Sequence, residues 1–263
     1  MNEPADPTQP PRERVIDLSV EVVGSPEDVW EAIATGPGIS SWYVPTTVEE
    51  REGGATTSRF GEGPEMLIPG RVVAWEPPHR VLFDGGESSG GLAFEWLVEA
   101  RDGGSCVVRL VNSGFFEGAE WDDQYDGMAE GWLLFLSNLQ LHCAHFAGRT
   151  ASSMLPMAMW RGPRSEAWRR LTGALGVPEN VAEGERIVAG GATPPLAGTV
   201  VTSAPFRLAL LLEEPAPGTA FVAVEGEGEQ VGVSVWSYLY GDDRDELVAE
   251  HQPRWNAWLA EQA

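Results

Sequence analysis

His142, Cys143 and His145 are the one compact cluster of metal-ligand residue types in this sequence. On a helix the two histidines, three residues apart, share a face, whereas Cys143 points elsewhere. A structural metal site requires four ligands, so His79 or His251 would have to be recruited. A pair of histidines at a helix end, where the dipole favours cations, accounts for them without a metal. The acidic set Asp122, Asp123, Asp126 and Glu130 offers either a carboxylate pair or a hard-cation site. Helical spacing instead puts Asp122, Asp126 and Glu130 on one stripe away from Tyr125, Met128 and Trp132, as on a solvated face. Dinucleotide-fingerprint and HExxH motifs are absent, and all seventeen basic residues are arginine. Without a lysine there is neither a Schiff base nor a P-loop lysine. The sequence implies no metal, no cofactor and no catalytic residue.

The aromatic residues point to binding. Eleven tryptophans occur in 263 residues, and several fall on inward faces of expected elements: Trp30, Trp75, Trp96 and Trp132, with Phe83, Phe94, Tyr125 and Met128 beside them in the pattern. Most must serve core packing. A minority could wall a pocket for an apolar ligand, with Arg109, Asn112 and Tyr125 as polar contacts. Arg109 alternates with Val108 and Leu110, which leaves open whether it faces the pocket or the outside.

The element that must position these groups is an amphipathic helix from Trp121 to Phe146, whose bulky residues recur at three- and four-residue steps. Gly148 is placed to end it. Gly131 lies inside it, where glycine costs up to about 1 kcal/mol relative to alanine, and either close approach of the helix to the sheet or ligand, or simple tolerance, explains it. Ahead of the helix, Ile16, Leu18, Val20 and Val22 alternate as a strand, and Ser25, Pro26 and Asp28 start a short helix containing Val29, Trp30 and Ile33. A turn with Trp42 and Tyr43 follows. Strands are then expected over 46–51, 56–60, 65–75, 80–84, 92–100 and 105–112, punctuated by glycine and proline. Leu92, Phe94, Trp96 and Val98 share one face of the fifth, which pairs with the sixth through Asp102-Gly103. An antiparallel meander closed by a long helix is an α+β fold, and a curved sheet wrapping a helix leaves a space between them.

Composition limits the partners. Forty acidic residues against seventeen basic ones give a net charge of -23, which repels nucleic acid and anionic membrane surfaces. No stretch approaches membrane-spanning length, and the polar, proline-rich leader over residues 1–13 has no apolar core, so no membrane insertion and a cytoplasmic location are expected. Cys106 and Cys143 do not suggest a disulfide framework.

The run SPEDVWEAIATGPGISSWYVP, the segments GRVVAWEPPHRVLF and GGSCVVRLVNSGF, and the helix motif EGWLLFLSNLQLHCAHFAGR together resemble the START-like, birch-pollen-allergen-like (SRPBCC) superfamily. More narrowly, they resemble the branch named for the C-terminal domain of the heat-shock-protein-90 ATPase activator. The resemblance covers roughly residues 13–150 and implies a helix-grip fold with an internal cavity, in a family where many members bind apolar small molecules. A chaperone partner is a second implication, although no counterpart of the activator's N-terminal domain is present. Cyclases, aromatases and hydrolases on related folds suggest a third, enzymatic, possibility.

The second half reads as a shortened echo. SEAWRRLTGALG mirrors PEDVWEAIATGPG, pairing Trp30 with Trp168, and PRWNAWLAEQ mirrors EGWLLFLSNL, pairing Trp132 with Trp255. Between them lie strand-like runs over 196–202, 206–212, 219–224 and 230–240, and a last helix starts near Asp243. The expected organisation is a leader to residue 13, a START-like unit over 14–150, a linker or first strand over 151–164, and a degenerate second unit over 165–263, shorter by about one hairpin. The function expected is non-enzymatic binding of an apolar or amphipathic molecule, chiefly by Trp96, Tyr125, Met128 and Trp132. The alternatives are a co-chaperone-like interaction with a protein partner, and a cyclase or hydrolase activity.

Overall fold

The computed structural model describes the backbone of residues 13–61, 63–86, 90–116 and 119–263; the expected leader lies almost wholly outside the described residues. The first strand, β1 (Glu13–Val23), leads into helix α1 (Pro26–Ala34). Ser25 and Asp28 form a reciprocal capping box there, the Ser25 hydroxyl accepting from the Asp28 amide and the Asp28 carboxylate from the Ser25 amide. A short helix α2 (Gly36–Ser40) follows at once, its amino end capped by the Thr35 side chain. Only glycine fits at position 38, because a Cβ there would lie 1.8 Å from the Glu31 carbonyl oxygen.

Six more strands complete the first sheet: β2 (Thr46–Val48), β3 (Ala55–Arg59), β4 (Leu67–Glu76), β5 (Arg80–Asp84), β6 (Ala93–Arg101) and β7 (Ser105–Phe116). The order across the sheet is β1-β7-β6-β5-β4-β3-β2, antiparallel throughout. Helix α3 (Ala119–His145) then crosses it. It packs along β1 and touches β7 and α1, with Gln140 donating to the Glu21 carbonyl. Because the helix rests on one end of a curved sheet, it stands away from β2 to β6.

The second half repeats this order. Strands β8 (Ser152–Met154) and β9 (Met157–Arg161) lead to α4 (Arg164–Leu175), then β10 (Arg186–Val188), β11 (Ala197–Ala204), β12 (Arg207–Glu214), β13 (Gly218–Glu225) and β14 (Gln230–Leu239), and finally α5 (Arg244–Glu261). As β1 pairs with β7 in the first sheet, so β8 and β9 both pair with β14, the last strand of the second. Pro156, which has no amide hydrogen to give to a ladder, falls between the two segments, so they act as one broken strand. The second sheet therefore lacks one strand, and α2 has no counterpart; the expected loss was a hairpin. Residues 152–161, expected as a linker or first strand of the second unit, form β8 and β9, and residues 186–188, left unassigned by sequence patterning, form β10.

The two halves meet on α3. In β13, Ala220, Val222 and Val224 join the core beneath α4 and α5, whereas Phe221 and Ala223 join the core that contains α3. Strand β14 divides in the same way, with Val231, Val233 and Val235 on one side and Trp236 and Tyr238, followed by Tyr240 just past its end, on the other. A sheet covered on both faces needs apolar residues at every position, which is why GTAFVAVE is a nearly continuous apolar run rather than an alternating one. The second half thus covers the first half's helix.

Polar groups fix this junction. Asn138 on α3, fully buried, donates to the Trp42 carbonyl at 2.8 Å and accepts from the Thr219 hydroxyl at 2.7 Å. Tyr240 donates to the Ser41 carbonyl at 2.8 Å and lies 2.7 Å from His142 Nδ1. Since the phenol has spent its hydrogen on Ser41, His142 must donate from Nδ1. Burial holds the His142 pKa down to about 4, so the ring is neutral near pH 7.

Candidate functional site

The space between α3 and strands β2 to β6 is a cavity of about 630 Å³, within the range of small-molecule sites. Strand alternation supplies one wall. On β6, Phe94 and Trp96 face inward together, and Phe83 of β5 is the register partner of Phe94. Met128, Gly131, Trp132 and Phe135 of α3, which recur at three- and four-residue steps, supply the opposite wall. Trp42 and Tyr43, in the turn after α2, close the end beside them.

These rings hold one another. Trp96 lies edge-on between Trp42 and Trp132, with centroids 5.5 Å from each. Tyr43 stacks on Trp132 at 5.2 Å and meets Phe135 edge-on at 4.5 Å. The Trp132 indole donates to Asn112 Oδ1 at 3.2 Å, and the same amide donates to the Ala93 carbonyl at 3.0 Å. Asn112 is fully buried and opposes Phe94 across β6 and β7, so it positions Trp132 from behind the wall rather than lining the cavity. The Trp42 indole is likewise committed, donating to the Ala32 carbonyl at 2.8 Å.

Polar lining is sparse. The Thr46 and Ser58 hydroxyls lie 3.1 Å apart, and Thr46 also donates to the Val44 carbonyl. Asp84 pairs with Arg71 at 3.3 Å, where a shallow depression adjoins the cavity. Burial raises the Tyr43 phenol well above its ordinary pKa. Among the described residues, its hydroxyl has no hydrogen-bond partner.

Of the residues singled out from the sequence, Phe83, Phe94, Trp96, Met128 and Trp132 line this cavity, whereas Asn112, behind its wall, and Trp30, Trp75, Arg109 and Tyr125 do not. Trp30 and Trp75 pair with each other edge-on at 5.0 Å; a bulge between Val72 and Ala74 shifts the register of β4 ahead of Trp75. Arg109 is outside the sheet, in a two-pronged ion pair with Asp17 whose Nε–Oδ1 distance is 2.7 Å, and this pairing holds the Asp17 carboxyl below its usual range. Alternation on β7 put its neighbours Val108 and Leu110 inside. Tyr125 donates to the Val15 carbonyl at 3.2 Å and packs edge-on against Phe115 under the Arg14 guanidinium, so it fastens α3 to β1. Sequence patterning missed Tyr43 and the hydroxyls of β2 and β3, because a turn and a three-residue strand carry no periodicity.

The candidate metal cluster is dispersed. His142 is bound to Tyr240, Cys143 is buried with its thiol pushed up to about 12, and His145 is exposed. No group of three or more metal-ligating side chains occurs among the described residues. The side chains of Asp122, Asp123 and Asp126 lie outside the described residues; Glu130 pairs with Arg164 of α4. Of the two readings of Gly131, close approach is absent, since a Cβ there would meet nothing within 4 Å; the glycine borders open cavity. No described helix is long and apolar enough to cross a membrane.

Residues 24–143 match the family model described as activator of Hsp90 ATPase homolog 1-like protein. An uncharacterized protein of Mycobacterium tuberculosis is 26% identical over 113 residues, which cover 38% of this chain and 76% of that protein. Among solved structures, the di-domain ARO/CYC protein BexL aligns over 95% of this chain and 93% of its own, with 12% identity and a TM-score of 0.47. DynU16, described as a putative protein in the dynemicin biosynthetic locus, aligns over 94% and 96%, with 18% identity and a TM-score of 0.43. The Aha1 dimer from Colwellia psychrerythraea aligns over 49% of this chain and 96% of its own, with 21% identity and a TM-score of 0.43. Over residues 24–143 the chain is thus similar to the Hsp90-ATPase-activator-like family.

Proposed function

We propose that this protein binds an apolar or amphipathic small molecule, without transforming it, in the cavity between the first sheet and α3. The observation that carries this reading is the cavity of about 630 Å³ walled by mutually braced aromatic rings, with few polar groups. Acid–base catalysis finds little support there. Asp84 is paired with Arg71, and the Tyr43 phenol, raised by burial, gives up no proton near pH 7.

The second half, in this proposal, is a degenerate copy that serves the first. Its own core face is filled by Trp160, Trp168, Trp255 and Trp258, and its other face braces α3. We divide the chain accordingly into residues 14–150, which hold the ligand, and 165–263, which support them, with 151–164 joining the two.

Native mass spectrometry of freshly purified protein, followed by denaturing analysis of whatever is released, tests the reading. A stoichiometric apolar molecule is the expected result. A protein that arrives empty and takes up no apolar probe would defeat it.

A further inference from the structure

The charge of the cavity narrows the ligand class. Among the described lining residues there is no arginine and no histidine, and the chain contains no lysine. The one carboxylate among the described lining residues, Asp84, already has its partner in Arg71, and the protein as a whole carries a net charge of -23. A carboxylate, phosphate or sulfate drawn into this space would leave water without gaining a cation, which is strongly unfavourable.

The hydrogen-bonding inventory points the same way. The Tyr43 hydroxyl, without a partner among the described residues, is a free donor in the wall. Thr46 spends its hydrogen on the Val44 carbonyl, so Ser58 donates across the 3.1 Å contact to Thr46 and keeps its own lone pairs. With the Thr56 hydroxyl and the Trp96 indole, lining groups that likewise have no partner among the described residues, these neutral donors and acceptors match a hydroxyl or carbonyl group.

We propose that the cavity selects an uncharged, ring-bearing molecule carrying a hydroxyl or carbonyl that Tyr43 recognises, and rejects carboxylates such as fatty acids. This rests on the cavity's being a ligand site and adds the chemical class. Tyr43 is a specificity-determining residue in this scheme, while the aromatic wall supplies affinity.

Three probes of one shape test it: anthracene, 9-anthracenemethanol and 9-anthracenecarboxylate, titrated against the full chain by quenching of tryptophan fluorescence. The alcohol is expected to bind at least as tightly as the hydrocarbon, and the carboxylate about a hundredfold more weakly. Tyr43→Phe is expected to weaken the alcohol about tenfold and leave the hydrocarbon unchanged, which also verifies that the variant folds. A carboxylate that binds as well as the alcohol, or a Tyr43→Phe variant that treats alcohol and hydrocarbon alike, would overturn the charge and Tyr43 assignments while leaving a ligand site. Failure of all three probes would overturn the ligand site itself.

Discussion

Phe135 is a wall of the cavity on one side and stacks on Trp236 of the second sheet on the other, their ring centroids 5.6 Å apart at an interplanar angle of 30°. One side chain thereby joins the ligand space of the first unit to the sheet of the second. Trp236→Ala removes the support without touching the cavity. Loss of a large, partly buried aromatic side chain should lower stability by about 3 kcal/mol and weaken an apolar probe several-fold. Urea unfolding and fluorescence titration check the two effects separately.

Asn138 gives the junction its register. Asn138→Ala leaves the Thr219 hydroxyl and the Trp42 carbonyl without their bonds in a buried setting, at about 2 to 3 kcal/mol. Thr219→Val should recover part of that loss in the Asn138→Ala background. A double-mutant cycle with a coupling near zero would show that the two side chains act independently.

His142 should make stability depend on pH. Its pKa is about 4 in the folded protein against 6.5 for a free side chain, so the unfolded chain binds the proton more readily. The contribution of the neutral ring is fully present above pH 6.5 and is lost progressively as the pH falls toward 4. The full difference is on the order of 3 kcal/mol. His142→Gln, compared with the parent by denaturant unfolding from pH 7.5 to 4.5, should show a shallower decline.

Gly131 separates space from stability. Gly131→Ala meets no neighbouring atom within 4 Å and should be neutral or stabilising by up to about 1 kcal/mol, from helix propensity alone. Gly131→Leu should occupy the cavity and abolish probe binding while the protein stays folded. Retained binding in the leucine variant would place the ligand elsewhere.

Arg109→Ala tests the outer face of the sheet. The Asp17–Arg109 pair is about half exposed, so its loss should cost well under about 1 kcal/mol and leave probe affinity unchanged.

How far the sequence reached depends on how each residue is fixed. Period-two and helical patterns are set by which face meets apolar surroundings, so the strand around Phe94 and Trp96 and the α3 positions Met128 and Trp132 were legible. Trp75 and Tyr125 escaped for another reason. They satisfy the same patterns but stand beyond a bulge or at the helix's far turn, where an inward-facing ring meets another ring or a backbone carbonyl instead of open space. Tyr43 was recognisable as an aromatic in a turn, but only the packing of Trp132 and Phe135 against it reveals its place. The double burial of the second sheet was written into GTAFVAVE, yet no local rule names the surface that covers the far face.

That double burial makes the folding of the second half depend on the first. One face of β13 and β14 closes on α3, which belongs to the half of the chain made first. The second sheet therefore has no complete surroundings of its own to fold into without α3 to cover its far face. A second half produced alone would leave Phe221, Trp236 and Tyr238 uncovered.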